Sequence, residues 1–197
     1  MAYTSSDSKR KGSPSPITLK IVIAGGFGVG KTTLVGTVSQ IRPLRTEENL
    51  SEIGRPLDDI AGIERKSTTT VAMDFGRIDI RAGLALYLFG VPGQHRFWFL
   101  WDELATGALG AVVLADTRRL EDCFPSIDFF ERRNMPFVIG VNCFDGSHRY
   151  PIESIRAALA LSGEVPIIMG DARSRSECRN LLITLAEHAL TFNSIVL

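Results

Sequence analysis

No stretch of this chain approaches the roughly 18 consecutive apolar residues that a helix needs to cross a bilayer, so a spanning helix is not expected. Cysteine is scarce, with three residues in 197, at positions 123, 143 and 178. An odd, scattered set argues against a disulfide scaffold, and Cys123, Cys143 and Cys178 read as reduced packing residues of a cytoplasmic protein. Charge imbalance is missing too: 22 Lys and Arg face 22 Asp and Glu, so no global field draws the chain to nucleic acid or to an anionic membrane. The opening "MAYTSSDSKRKGSPSPITLK" lacks the apolar core of a signal peptide. Ala2 stands where N-myristoylation needs glycine, and the terminal "SIVL" has no cysteine to prenylate. The expected location is cytoplasmic, peripheral at a membrane only through partners. No internal repeat is visible.

What is present is an ordinary globular composition, 45% apolar and 22% charged, with a length suited to one domain and a sizeable core. Residues 1–16, rich in Ser, Lys and Pro, read as a disordered tail, and residues 17–197 as the folded domain. "ITLKIVIAGG" is a β-branched run that ends in glycines. A helix is expected from about Lys31 to Ile41, and residues 42–68 read as a long irregular loop of functional type. "TVAMDFGRIDI" and "LALYLFG" read as paired strands joined through "RAG". "GAVVLAD", "PFVIGVN" and "VPIIMG" follow as strands, alternating with helices over 119–133, 151–162 and 174–192. This alternation predicts an α/β domain, three αβα layers around a mainly parallel six-stranded sheet. Ligands of such sheets bind at the carboxyl ends of the strands.

"GGFGVGKT", Gly25 to Thr32, matches G-x-x-x-x-G-K-[ST] between a strand and a helix. Glycines let successive backbone N–H groups converge on phosphate oxygens, and the helix N-terminus adds its dipole. The expected nucleotide contacts here are Gly26, Phe27, Gly28, Val29, Gly30, Lys31, Thr32 and Thr33. Lys31 reaches the β- and γ-phosphates, and the Thr32 hydroxyl is a ligand for Mg²⁺. The pattern indicates a nucleoside triphosphate without choosing the base. "VIGVNCFDG" addresses that choice, because Asn142 and Asp145 follow a strand with N-x-x-D spacing. An aspartate there accepts two hydrogen bonds from guanine N1–H and N2–H₂, a pair that adenine does not offer. Cys143 stands where a lysine stem would stack on the base. In "MGDARSR", Asp171, Ala172 and Arg173 form a second candidate base loop, with the Ala172 N–H directed at a guanine carbonyl.

Taken with these motifs, the chain resembles a small Ras-superfamily GTPase, a P-loop NTPase G-domain, over nearly all of residues 17–192. "TVAMDF" is similar to the Rab-type T-I-G-V-D-F, which implies Thr70 as the switch I threonine that senses γ-phosphate and Mg²⁺. "GQHRF" resembles switch II, which implies Gly93 at the phosphate and Gln94 as the catalytic residue orienting the attacking water. "TTTVAMDFG", "LFGVPGQHRFWF", "GAVVLADTRRLEDCFPSIDFFE" and "MGDAR" resemble the bacterial MglA-like branch, in particular the conservon GTPases of actinobacteria. That resemblance implies partners of two kinds, a Roadblock/LC7 protein and a sensor-kinase-like protein.

Three departures bear on rate. Gly90 replaces the usual metal-organising aspartate, leaving Thr32 and Thr70 as the metal residues, with Asp116 a weak outer-shell candidate beside its commoner use as a turn cap. Thr69 stands where MglA-like proteins carry an arginine. Phe27 either crowds the γ-phosphate or folds away. On a helix, Phe97, Trp101 and Leu104 share a core-facing stripe, which leaves Trp98 and Phe99 as candidates for an effector or Roadblock surface. The expected function is a GTP/GDP switch that hydrolyses slowly with Mg²⁺ and Lys31. The alternatives are a nucleotide-binding protein without meaningful turnover and a P-loop ATPase or small-molecule kinase.

Overall fold

A computed structural model describes the backbone of residues 17–50, 69–93 and 98–195, and side chains over 17–44, 73–93 and 100–192. The strands are β1 (Ile17–Gly25), β2 (Leu44–Leu50), β3 (Thr69–Arg81), β4 (Leu84–Gly90), β5 (Gly110–Ala115), β6 (Phe137–Asn142) and β7 (Ile167–Gly170). The helices are α1 (Lys31–Val38), α2 (Trp98–Ala105), α3 (Phe124–Arg132), α4 (Ile152–Ala158) and α5 (Arg175–Ile195). Among the described residues the sheet runs β2-β3-β4-β1-β5-β6-β7. The β4-β1-β5-β6-β7 pairings are parallel, and β2-β3 and β3-β4 are antiparallel.

The central strands are parallel because their sequences can be buried on both faces. Every residue of β5 and β6 is buried, and the second half of β1 likewise. Period-two alternation then divides them between two cores. Val22, Ala24, Val113 and Ile139 lie with Trp101, Phe130 and Ile155 under α2, α3 and α4. Ile21, Ile23, Val112 and Val138 lie with Leu34, Val35, Leu181 and Leu185 under α1 and α5. These are the three expected layers.

All six expected strands are present, and β2 is added to them. It occupies the start of the segment read as irregular, running from Leu44 opposite Phe75 to Leu50 opposite Thr69. "LRTEENL" has no apolar alternation, so the ladder to β3 and not side-chain burial makes it a strand. Residues 51–68 lie outside the described residues. The expected helix over 119–133 is divided into a 3₁₀ turn, Leu120–Cys123, and α3, because Pro125 enters the first turn of α3 without a backbone N–H. Helix α1 ends three residues before Ile41, where Ser39 turns extended at φ −61° and ψ 139°. Helix α4 is likewise shorter than expected, and α5 reaches Ile195.

In α2, Trp101 is buried and its Nε1 donates to the Pro92 carbonyl at 3.1 Å, fastening the helix to the exit of β4. Leu104 packs on the same core. Phe97 and the side chains of Trp98 and Phe99 lie outside the described residues. All three cysteines are free, with Cys123 and Cys178 buried. Burial pushes the Cys123 thiol up to about 12, so it acts as a packing group. Among the described residues no helix is long and apolar enough to cross a membrane.

Candidate functional site

Strand β1 delivers Gly25–Thr32 to the carboxyl edge of the sheet, where the chain curls into α1. Gly30 has φ +108°, and a Cβ on it would stand 2.5 Å from Asn142 Nδ2, so both conformation and space require glycine. Lys31 is half-buried, and its Nζ donates to the Gly25 carbonyl at 2.9 Å and to that of Gly26 at 2.6 Å. The loop thus holds its own cation over the cradle. Burial lowers the Lys31 pKa to about 8, against the opposing pull of Asp74. Val29 is buried in the core, and Thr32 and Thr33 are exposed at the start of α1. The Phe27 ring is 73% exposed, so it neither fills the cradle nor folds against a neighbour. Its carbonyl accepts a bond from Arg119 Nη2 at 3.1 Å.

The carboxylate missing at position 90 is present one strand away. Asp74 of β3 is the register partner of Gly90 in β4. Its Oδ2 accepts the Thr32 hydroxyl at 2.5 Å. A Cβ on Gly90 would stand 3.0 Å from the Asp74 Cβ, so the two positions share one space. Sequence reading missed Asp74 because its place depends on how β3 registers against β4. Beyond β4, Gly93 is pressed onto the phosphate loop. A Cβ there would lie 2.6 Å from the Gly25 carbonyl oxygen and 3.2 Å from the Phe27 nitrogen. Gln94, Arg65, Arg96 and the side chains of Thr69 and Thr70 lie outside the described residues.

At the far end of the sheet, Asn142 is buried and ties two loops together. Its Nδ2 donates to the Val29 carbonyl at 2.9 Å, and its Oδ1 accepts the Ala172 N–H at 3.0 Å. The Ala172 N–H, expected to point at a base carbonyl, is thereby engaged by Asn142. Past Asn142 opens a cleft of about 420 Å³, lined by Cys143, Phe144, Asp145, Met169, Asp171 and Ser174 among others. Asp145 lies at its rim, joined to Arg173. The Arg173 hydrogen bonds hold the Asp145 carboxyl below the usual range and bring that of Asp171 down to about 2. Asp116 does not face the cradle as an outer-shell group. Its buried carboxylate accepts the Arg118 backbone N–H at 2.9 Å and the Arg118 guanidinium, capping the turn after β5.

The metal question turns on oxygen donors. Among the described residues no cluster of three His, Cys, Asp or Glu side chains could hold an ion alone. One hydroxyl and one carboxylate beside a phosphate cradle instead fit Mg²⁺, which completes its shell with phosphate oxygens and water.

Lys31 also sets a pH signature. Nucleotide phosphates restore its preference for the charged form, so binding should draw in most of a proton at pH 8.5 and very little at pH 7. Calorimetry in buffers of different ionisation enthalpy measures that uptake, and equal enthalpies at pH 8.5 would contradict it. In the ligand-free chain the unfolded state is the better proton binder between about 8 and 10.5. The penalty this lysine places on folding therefore fades as pH rises through that window.

Fold and site together define a P-loop nucleotide-binding protein with G-domain architecture. The family described as "Conserved hypothetical ATP binding protein" matches residues 23–192, and the chain belongs to it. An uncharacterized protein of Methanocaldococcus jannaschii is 31% identical over 129 residues, covering 64% of this chain and 71% of that one. The cytosolic domain of the T. maritima FeoB iron transporter, in a GDP form, superposes with TM-score 0.63 at 15% identity, over 90% of this chain and 65% of that one. The FeoB G-domain of Methanococcus jannaschii gives TM-score 0.57 at 13% identity, over 87% of this chain and 97% of that one. The chain thus spans just under two thirds of the T. maritima structures, 64% of the apo form. At these identities the likeness is one of fold, and it stops short of the narrower MglA-like branch.

Proposed function

We propose that this protein is a guanine-nucleotide switch that binds GTP with Mg²⁺, hydrolyses it slowly and changes the loops around the cradle when the γ-phosphate leaves. The observation that carries this reading is the Thr32–Asp74 hydrogen bond beside Lys31. Gly90 had been the main argument for binding without turnover, and Asp74 supplies a carboxylate in the space that Gly90 leaves open. Thr32 and Thr70 would hold the ion directly, and Asp74 would accept hydrogen bonds from its water. Bound magnesium supplies charge neutralisation at the transferred phosphate. Lys31 stabilises the phosphate charge, the backbone at Gly93 stands close enough to respond to it, and Gln94 orients water.

Guanine is favoured by Asp145 at the mouth of the cleft beyond β6, an acceptor pair suited to two parallel N–H donors. The MglA-like stretches support a place in bacterial signal transduction beside a Roadblock/LC7 protein and a sensor-kinase-like protein, with membrane contact through those partners. A second reading is favoured by the family description, which speaks of ATP. Single-turnover hydrolysis of radiolabelled GTP and ATP decides between them. The switch reading expects Mg²⁺-dependent turnover of GTP that Gln94→Ala lowers by about 100-fold, the scale of one group acting mainly in the transition state. GTP loss at the rate in buffer alone, or turnover of ATP at least equal to that of GTP, overturns it.

A further inference from the structure

The base cleft contains a group that already occupies its reading edge. Arg173 Nη1 donates to Asp145 Oδ2 at 2.8 Å, and Nη2 donates to Oδ1 at 2.8 Å. Two parallel N–H donors on one carboxylate are the same fork that the N1–H and N2–H₂ edge of guanine presents. The guanidinium is also held from behind. Its Nε donates to both Asp171 oxygens at 2.9 and 3.0 Å, Nη2 adds a bond of 2.6 Å, and the Arg173 backbone N–H donates to Asp171 Oδ1 at 2.8 Å. Asp171 is itself positioned by its backbone N–H, which donates to Glu177 Oε2 at 2.5 Å. The Asp145 side chain is 85% exposed and that of Asp171 28%. The Asp145 end of the clamp can therefore open into solvent while Asp171 keeps hold of the arginine.

We propose that Arg173 determines base specificity as an internal competitor. It fills the two acceptor positions of Asp145, so guanine must displace it and adenine need not. This inference rests on the nucleotide-binding reading above. With the clamp closed, the site grips phosphates through the cradle and reads no base, a state that agrees with the family's description as ATP binding. Displacement is a modest step, because an exposed ion pair is weak even when bidentate. Opening of the clamp thus sets how strongly guanine is preferred, and leaves the cradle untouched.

The test uses the full chain, stripped of nucleotide, with GDP and ADP competing against a fluorescent GDP analogue. Arg173→Ala should tighten GDP binding about fivefold, the scale of an exposed bidentate pair, and leave ADP unchanged. Arg173→Lys keeps the positive charge without the fork and should show part of the same gain. Adding Asp145→Asn to Arg173→Ala should abolish the gain. If Arg173→Ala weakens GDP, or shifts GDP and ADP equally, the residue is a contact or a phosphate attractor and the competitor idea is overturned. If the gain survives Asp145→Asn, it is overturned as well. Failure of the wild-type chain to bind either nucleotide would remove the underlying reading, an outcome separate from any change in the GDP to ADP ratio.

Discussion

Lys31→Ala should weaken the binding of nucleoside triphosphate by about 100-fold or more while leaving the folded protein at least as stable as before. Removing one partner of a desolvated, hydrogen-bonded charge pair costs about 2–5 kcal/mol, and each ~1.4 kcal/mol is tenfold in affinity. Lys31 is the cation of the cradle, held over it by the carbonyls of Gly25 and Gly26. Without it, phosphate charge meets only backbone dipoles. The ligand-free protein responds in the opposite sense. Burial has brought this lysine down to about 8, which marks a charged group kept away from water at some expense to folding. Truncation relieves that strain. The paired signature is a ligand-free melting temperature that is unchanged or raised, together with loss of the stabilisation that nucleotide gives the wild type. Thermal melts with and without GTP and Mg²⁺ read both at once. A variant that melts several degrees lower yet keeps its nucleotide-induced shift would show that Lys31 is a structural residue.

The phosphate loop was legible because its geometry and its chemistry reside in the same few letters. Gly25, Gly28 and Gly30, with positive φ, curve the chain around the place where Lys31 and Thr32 must stand. The buried strands were legible for a similar reason: "GAVVLA" and "FVIGVN" are apolar on both faces and suit the middle of a parallel sheet. Strand β2 was hidden because "LRTEENL" gains its order from the neighbouring β3 and not from its own pattern. The break at Phe124 could have been read from Pro125, a signal that was present and passed over. Asn142 was placed correctly at the base end of the site, but its side chain is spent on Val29 and Ala172, a tie between loops that no spacing rule contains. Asp145 and Arg173 were each picked out for guanine, and only their bidentate contact shows that they answer each other first.

Asp74 is the sharpest case of information held between strands, and it yields the second large effect. Asp74→Ala should weaken Mg²⁺-dependent GTP binding by about 10–100-fold, the usual scale for a group that supports a metal through its ligands and water. Nucleotide binding measured in chelator should change little, since the phosphate loop and Lys31 remain. The variant that discriminates best exploits the register. Asp74 and Gly90 face each other across β3 and β4, and a Cβ at Gly90 would enter the volume of the Asp74 side chain. Gly90→Asp alone therefore puts two carboxylates in one space beside Thr32 and should be destabilising. Asp74→Gly combined with Gly90→Asp moves the carboxylate to the opposite strand and frees that space. The double variant should recover magnesium dependence that Asp74→Gly alone loses. A carboxylate acting on the metal can be delivered from either strand, whereas one needed only to pack β3 cannot. Magnesium titrations of GTP binding in the three variants measure this directly. Retention of full magnesium dependence by Asp74→Ala, or loss that the double variant does not repair, would separate Asp74 from the metal and return the doubt to Gly90.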